Sequence, residues 1–483
     1  MEAQPFQWLG FGAVLPAASN DQPDLPAGLG PSPNEPALPS GLGEAEPKLP
    51  VVADDANQQP PLPIGLNQPK GPAPVAEKAT WLQILGAKGF VDLRGGVRTQ
   101  TDRHERDASL GEARTQIDLE KPWQKITFKL VTDFVFDAVL DHHTLDLEQG
   151  QGWLDLRQAN MLFSPAPFMD VKIGRQILTW GTGDLLFIND LFPKDWESFL
   201  IGRDDEYLKA PSDAVKLSFF TDAVNVDVAY TPRFRSDNYV DGERLSYWSD
   251  ALGRRAGQDF VVRDDEPSRW FRDDELALRL YKNVGGYEVA FYGYHGFWRT
   301  PGGMNPLNGK ATFPRLAVCG ASVRGPVGKG IGNVEVGCYH SLDDRGGADP
   351  LIRNSEFRFL VGYEQEVGRN FTAGVQYYVE CLMDYDAYRR TLPPGIRARD
   401  QVRHLVTLRL TKLLMNQNLR LSLFVFCSPS DADAYVRPKV HYKVDDHWSV
   451  EAGANLFRGA RDHTFFGQFE ENSNIYGGVR YSF

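Results

Sequence analysis

The sequence predicts an all-β chain, a transmembrane antiparallel up-and-down β-barrel of about 18 strands, preceded by a disordered Pro-rich segment. Three observations predict it. From residue 85 onward, stretches of about ten residues alternate apolar and polar side chains, the period of a strand with one greasy and one wet face. The connections between these stretches alternate in length, short then long. No run of about 18 apolar residues is present to make a transmembrane helix, although the chain is 42% hydrophobic and 12% aromatic.

Composition agrees. A mean hydropathy of −0.38 is ordinary, as it must be when only every second barrel residue faces lipid. The net charge of −12 argues against a nucleic-acid partner. The 46 Gly and 32 Pro in 483 residues suit many hairpins and one Pro-rich tract.

Strands are expected near 90–99, 112–120, 126–138, 153–163, 168–180, 213–221, 224–233, 274–284, 286–298, 315–324, 333–342, 355–366, 370–382, 403–413, 418–428, 434–444, 447–457 and 474–483. Short turns fall at 121–125, 164–167, 221–223, 283–286, 366–370, 414–418 and 444–447. Long connections fall at 100–111, 139–152, 181–212, 234–273, 299–314, 343–354, 383–402 and 458–473. Turns on one side and loops on the other is the layout of an outer-membrane barrel, with the turns periplasmic. An even strand count puts both barrel ends on the turn side. The amino-terminal segment and the carboxy terminus are therefore expected in the periplasm of a bacterial outer-membrane protein. Trp123, Trp153, Trp180, Trp298 and Trp448 fall at expected strand ends, where aromatic belts mark membrane interfaces.

The segment 1–84, ahead of the barrel at 85–483, cannot bury enough apolar surface to offset its ordering entropy. It repeats a pentapeptide: Leu25-Pro26-Ala27-Gly28-Leu29, Leu38-Pro39-Ser40-Gly41-Leu42 and Leu62-Pro63-Ile64-Gly65-Leu66. Pro fixes an extended backbone and Gly permits a bend, so two Leu side chains are presented at a set interval. Such copies are either drift in a linker or short motifs docking on a periplasmic or inner-membrane transport partner, where repetition raises avidity. The apolar run Trp8–Leu15 lacks the Lys or Arg that precedes a secretory signal. Since such a barrel must be exported, the segment is expected to be mature or its start mis-assigned.

Alternation places Lys129, Asp133 and Asp137 inward, and sets Arg437, Lys439, His441 and Lys443 opposite Val436, Pro438, Val440 and Tyr442. An Arg or Lys facing lipid at mid-bilayer costs about 2–4 kcal/mol, so charges mark the wet side. The last strands and the first, adjacent in a closed barrel, bring Arg409, Arg420, Arg437, Lys439, Lys443, Arg480, Arg94 and Arg98 against Glu451 and Asp92. The second to fourth strands bring Asp118, Glu120, Asp133, Asp137 and Asp155. One basic and one acidic wall would focus a field across the lumen. The same residues would equally build a ladder of lumen salt bridges.

The last strand, Asn474-Ile475-Tyr476-Gly477-Gly478-Val479-Arg480-Tyr481-Ser482-Phe483, resembles the terminal signature that the assembly machinery of bacterial outer-membrane barrels recognises. Gly174-Arg175-Gln176-Ile177-Leu178-Thr179-Trp180-Gly181, a loop with Trp196 and Arg203, and Asp213-Ala214-Val215-Lys216-Leu217-Ser218-Phe219 together resemble the alginate-export type of barrel. They are also similar to an uncharacterised proteobacterial barrel family with G-R-Q…W-G. The alginate-export resemblance implies an eighteen-stranded barrel with an Arg/Lys-lined pore. Trp180 stands where that family has Tyr, the intervening loop is longer, and the family lacks the Pro-rich tail. Strict alternation from Val171 and Ile173 points Arg175 at lipid, so a bulge turning Arg175 and Gln176 into the pore is expected.

Cys319, Cys338, Cys381 and Cys427 show no metal-ligand spacing. Cys319 and Cys338 lie nearly symmetric about the Gly325–Gly332 turn, as a disulfide or as two lipid-facing thiols. His142-His143 with Asp141 and Asp146 is a conceivable metal site but reads as solvated loop, and no metal residue is assigned. Arg-Asp-Asp-Glu recurs at 203–206, 263–266 and 272–275, where clustered loop carboxylates could hold Ca²⁺. No other cofactor is expected. Nothing resembles a phosphate loop, nucleophile elbow or catalytic triad, so an enzyme is not expected. Two functions remain. One is a channel for polar, anionic solutes or saccharides, constricted by loops 181–212 and 234–273 and linked by its tail to a transport partner. The other is a docking component of an envelope-spanning system, for lipid or hydrophobic cargo, whose barrel is not an open pore.

Overall fold

The computed structural model describes residues 86–140, 145–146, 151–393 and 396–483. The Leu-Pro-x-Gly-Leu copies and His142-His143 lie outside these residues. Eighteen strands form one sheet. They are β1 (Ala87–Arg98), β2 (Ala108–Trp123), β3 (Ile126–Asp137), β4 (Leu154–Ala166), β5 (Met169–Ile177) and β6 (Pro211–Phe219). Next come β7 (Asn225–Thr231), β8 (Glu275–Val284), β9 (Tyr287–Phe297), β10 (Arg315–Val327), β11 (Gly330–Ser341) and β12 (Glu356–Gly368). The last are β13 (Phe371–Leu382), β14 (Val402–Leu414), β15 (Leu419–Ser428), β16 (Asp433–Lys443), β17 (Trp448–Gly459) and β18 (Asn474–Ser482). Each expected strand corresponds to one of these.

Every strand pairs antiparallel with the next, and β1 closes on β18, from Phe90 opposite Ser482 to Arg98 opposite Asn474. Closure leaves no unpaired edge in the apolar layer. Phe483 completes the seam, its N–H donating to Gly89 O at 2.9 Å. The turn side is built from tight hairpins. Gly285 and Gly286 join β8 to β9 with φ of 59° and 86°, the left-handed pair that a two-residue turn matched to strand twist requires. The loop side carries the long connections, although β15 reaches β16 through residues 429–432 alone.

The barrel is inside out. Leu93, Phe136 and Phe291, 57%, 59% and 58% exposed, look outward, while Asp92, Asp133, Glu335 and Arg358 are buried within. Trp123, Trp153 and Trp448 stand exposed at strand ends. Trp180 and Trp298 depart from the expected belt because both follow the last residue of a strand where the chain bends over the lumen. Trp180 packs edge-on against Phe192, and Trp298 stacks on Tyr339. Cys319 sits directly opposite Cys338, both as free thiols.

Candidate functional site: a loop across the lumen

Residues 178–210 connect β5 to β6 and fold into the barrel. Leu186, Ile188, Phe199 and Ile201 are buried, which is what so apolar a connection requires. A single-turn helix, α1 (Trp196–Ile201), is capped by Asp195, whose carboxylate accepts from Ser198 N at 2.7 Å and Oγ at 2.6 Å. It ends at Gly202, with φ 92°, where a Cβ would collide with the Tyr476 ring. Trp196 Nε1 donates to Asp237 at 2.7 Å, tying this loop to residues 232–274.

The loop meets nearly opposite walls. At its start, Glu335 of β11 accepts five hydrogen bonds: Thr182 N and Oγ1 and Gly183 N on Oε2, Asn189 N and Nδ2 on Oε1. Gly181, with φ 89°, lets the chain pass beside that carboxylate; a Cβ there would lie 3.2 Å from Oε1. Further on, Asp184 pairs with Arg409 of β14 at 2.9 Å. At its far end Tyr207 donates to Asp133 of β3 at 2.7 Å, with the guanidiniums of Arg114 and Arg157 on its ring at 4.1 and 4.4 Å.

Between these anchors the run Arg203-Asp204-Asp205-Glu206 reaches the basic wall. Asp204 contacts Arg94 at 3.4 Å and Arg480 at 3.0 Å. Asp205 contacts Arg437 at 3.0 Å and Lys439 at 3.7 Å. Burial alone would raise the Asp205 carboxyl, but Lys439 and Arg437 outweigh it and hold it below the usual range. Asp204, by the same balance against Lys439, Arg480 and Arg94, is held down to about 2. The wall supplies two acids of its own: Asp92 to Arg94 and Arg480, both at 2.8 Å, and Glu451 to Arg94 at 3.0 Å and Lys439 at 2.9 Å.

The remaining sequence-derived residues divide. Lys129 lies between Asp118 and Glu120, 3.5 Å from each. Asp133 receives Arg114 at 2.6 Å. Asp137 receives Arg244 and, at 3.5 Å, Arg203. Arg98 is buried and donates to the Arg106 and Arg244 carbonyls. Arg420 stands opposite His441, and Lys443 pairs with Asp446 at the exposed turn rim. Gln176 is buried and donates to Ala214 O at 2.9 Å. Arg175 corrects the expectation: the β5–β6 ladder runs unbroken from Met169 to Ile177, with no bulge there. Alternation leaves Arg175 on the face of Val171 and Ile173, where it pairs with Asp213 at 2.9 Å. It lies near the loop end of β5, away from the bilayer midplane where such a charge is costly.

The suggested Ca²⁺ clusters are also corrected. Their carboxylates go separately to protein donors, among them Asp265 to Lys310, Asp273 to Arg269 and Glu275 to Arg299. Among the described residues no three potential ligands gather into a metal site. Sequence reasoning placed the loop in the lumen but took its acidic run for an external feature. The signal available was that run itself, four consecutive charged residues, the longest such stretch on the loop, facing a wall with surplus cations.

Two cavities flank the crossing. A loop-side one of about 400 Å³ is lined by Trp248, Tyr388, Arg397, Arg403, Arg461 and Phe465. A turn-side one of about 260 Å³ is lined by Asp204, Arg94, His441, Lys443 and Arg480.

The outer loops carry titratable strain. Burial pushes Glu105 up to about 8, against Arg98 and with Asp102 adding. Burial and then Glu197 push Asp241 to about 7, and burial against the Trp248 N–H pushes Asp250 to about 6. The folded loops thus hold protons that the unfolded chain has already released, so stability is greatest at low pH, falls as pH rises from about 4, the ordinary carboxylate range, to about 8, and levels off once the folded groups ionise. Hydrogen exchange of residues 232–274 should accelerate over that window, and Glu105→Gln with Asp241→Asn should flatten the response. Exchange slowing with pH, after correction for its intrinsic rate, would contradict the assignment.

No family model matches the chain, and no curated protein matches it by sequence. Among solved structures, Acinetobacter baumannii OccAB4 superimposes with a TM-score of 0.51 and 9% identity, covering 82% of this chain and 97% of that one. Pseudomonas aeruginosa OccK11 (OpdR) gives 0.48 and 11%, covering 82% and 96%. A mutant Rh. blastica porin gives 0.36 and 10%, covering 82% and 99%. At 9% identity what is shared with OccAB4 is the fold alone, a porin-type outer-membrane β-barrel.

Proposed function

We propose that the chain is an outer-membrane channel for polar solutes, selective for anions, with its turns and both barrel ends in the periplasm. One observation carries the anion preference: the wall of Arg94, Arg437, Lys439 and Arg480 has more cations than its own acids neutralise, and it holds carboxylates brought from elsewhere in the chain. The local likeness to alginate-export barrels supports a basic pore and leaves the solute open. In planar bilayers, Arg437→Gln with Lys439→Gln should shift the reversal potential toward cations, because it strips fixed positive charge and frees the acids of the loop. Unchanged selectivity would reduce this wall to internal scaffolding. The loop spanning the lumen favours a second reading, a docking component whose barrel does not conduct. Absence of current both from the intact protein and after shortening residues 182–208 would select it.

A further inference from the structure

We infer that Asp204 and Asp205 act as an internal ligand, occupying a two-carboxylate binding site on the basic wall that a dicarboxylate solute takes by displacing them. The inference rests on the channel reading above and names the regulation and ligand class of that site. Each Asp is cradled by two cations: Asp204 by Arg94 and Arg480, Asp205 by Arg437 and Lys439. Against these four cations the wall offers two carboxylates, Asp92 and Glu451. The loop supplies the rest: Asp204 and Asp205 each sit between two of these cations, while Glu206 stands at the edge, 3.5 Å from Arg480 alone among the four. The matching ligand is therefore a dianion whose carboxylates are spaced like those of two consecutive Asp residues.

Exchange is feasible here and not at the fully buried Glu356 cluster. The Asp204 and Asp205 side chains are 25% and 30% exposed, whereas Glu356, held by Arg353 and Arg358, is at 0%. Water, and so a competing anion, reaches the first two. The turn-side cavity of about 260 Å³ opens on Asp204, Arg94 and Arg480 and provides the approach. The run also follows directly on the helix-ending Gly202, so the acids can withdraw while the Glu335 anchor at the start of the loop stays bound.

The test is succinate binding by calorimetry on the full-length protein in detergent, with acetate as the single-carboxylate comparison. A site mostly occupied by its internal ligand binds an external one weakly in proportion. Asp204→Asn with Asp205→Asn should therefore tighten succinate binding by about tenfold or more, with a smaller change for acetate. Asp204→Glu with Asp205→Glu, which keeps the charge, should stay near wild type. Should the double Asn variant fail to assemble, Asp205→Asn alone should give an intermediate gain. Succinate affinity unchanged in the Asn variants, or acetate tightening equally, overturns the inference. Bilayer current with unchanged succinate affinity overturns this inference alone. Tightened binding without current from any variant supports the internal ligand and overturns the channel reading.

Discussion

Glu335→Ala should free the lumen loop at its start and raise single-channel conductance severalfold. The Glu335 carboxylate is buried and accepts five hydrogen bonds from Thr182, Gly183 and Asn189. Hydrogen bonds to a charged group contribute roughly 1.5–3 kcal/mol each, and removing the acceptor leaves the donors unsatisfied. Two bonds at the low end of that range total about 3 kcal/mol, roughly a hundredfold in the docked population. The contacts further along, Asp184 to Arg409 and Tyr207 to Asp133, keep the loop tethered. The expected state is therefore a mobile crossing. Glu335→Gln keeps shape and one acceptor oxygen and should fall between. Conductance and protease sensitivity both unchanged in Glu335→Ala would show that the loop is held elsewhere.

That anchor also shows where sequence reasoning reaches and where it stops. Strands were legible because their determinants are local: period-two alternation and turn residues such as Gly285-Gly286. Inward placement of Arg437 and Lys439 followed from the same alternation. Glu335 was not legible. Its strand position marks it as lumen-facing, but its partners lie more than a hundred residues away, and their pairing depends on how the loop folds back. Arg175 misled for a different reason. Alternation puts it on the face of Val171 and Ile173, and the bulge is introduced to avoid a penalty that applies at the bilayer midplane, whereas Arg175 is buried two residues from the loop end of β5, paired with Asp213. Trp180 and Trp298 were assigned to belts from strand-end position alone. Whether a strand-end aromatic faces lipid or lumen is decided by the direction of the departing chain.

Glu356→Gln should lower the temperature at which the barrel unfolds more than Arg358→Met does. Within the barrel, Glu356 Oε1 accepts from Arg353 Nε at 2.8 Å and Oε2 from Arg358 Nη2 at 2.6 Å. The Arg358 guanidinium lies 3.9 Å from the centre of the Tyr339 ring, and neither Arg358 nor Glu356 is exposed. Removing one member of a buried ion pair costs about 3–5 kcal/mol, mainly through the charge left behind. Arg358→Met keeps an apolar stem over Tyr339 and leaves Glu356 paired with Arg353, so its cost should sit near the bottom of that range. Glu356→Gln strands two guanidiniums with only Glu380 nearby, which Arg399 already holds at 2.9 Å. Its cost should reach the top. Heat-modifiable gel migration reads the order directly. Adding Arg358→Met to Glu356→Gln should recover part of the loss, since one stranded charge goes with it. Equal unfolding temperatures for wild type and Glu356→Gln would mean that water enters this part of the barrel and screens the cluster.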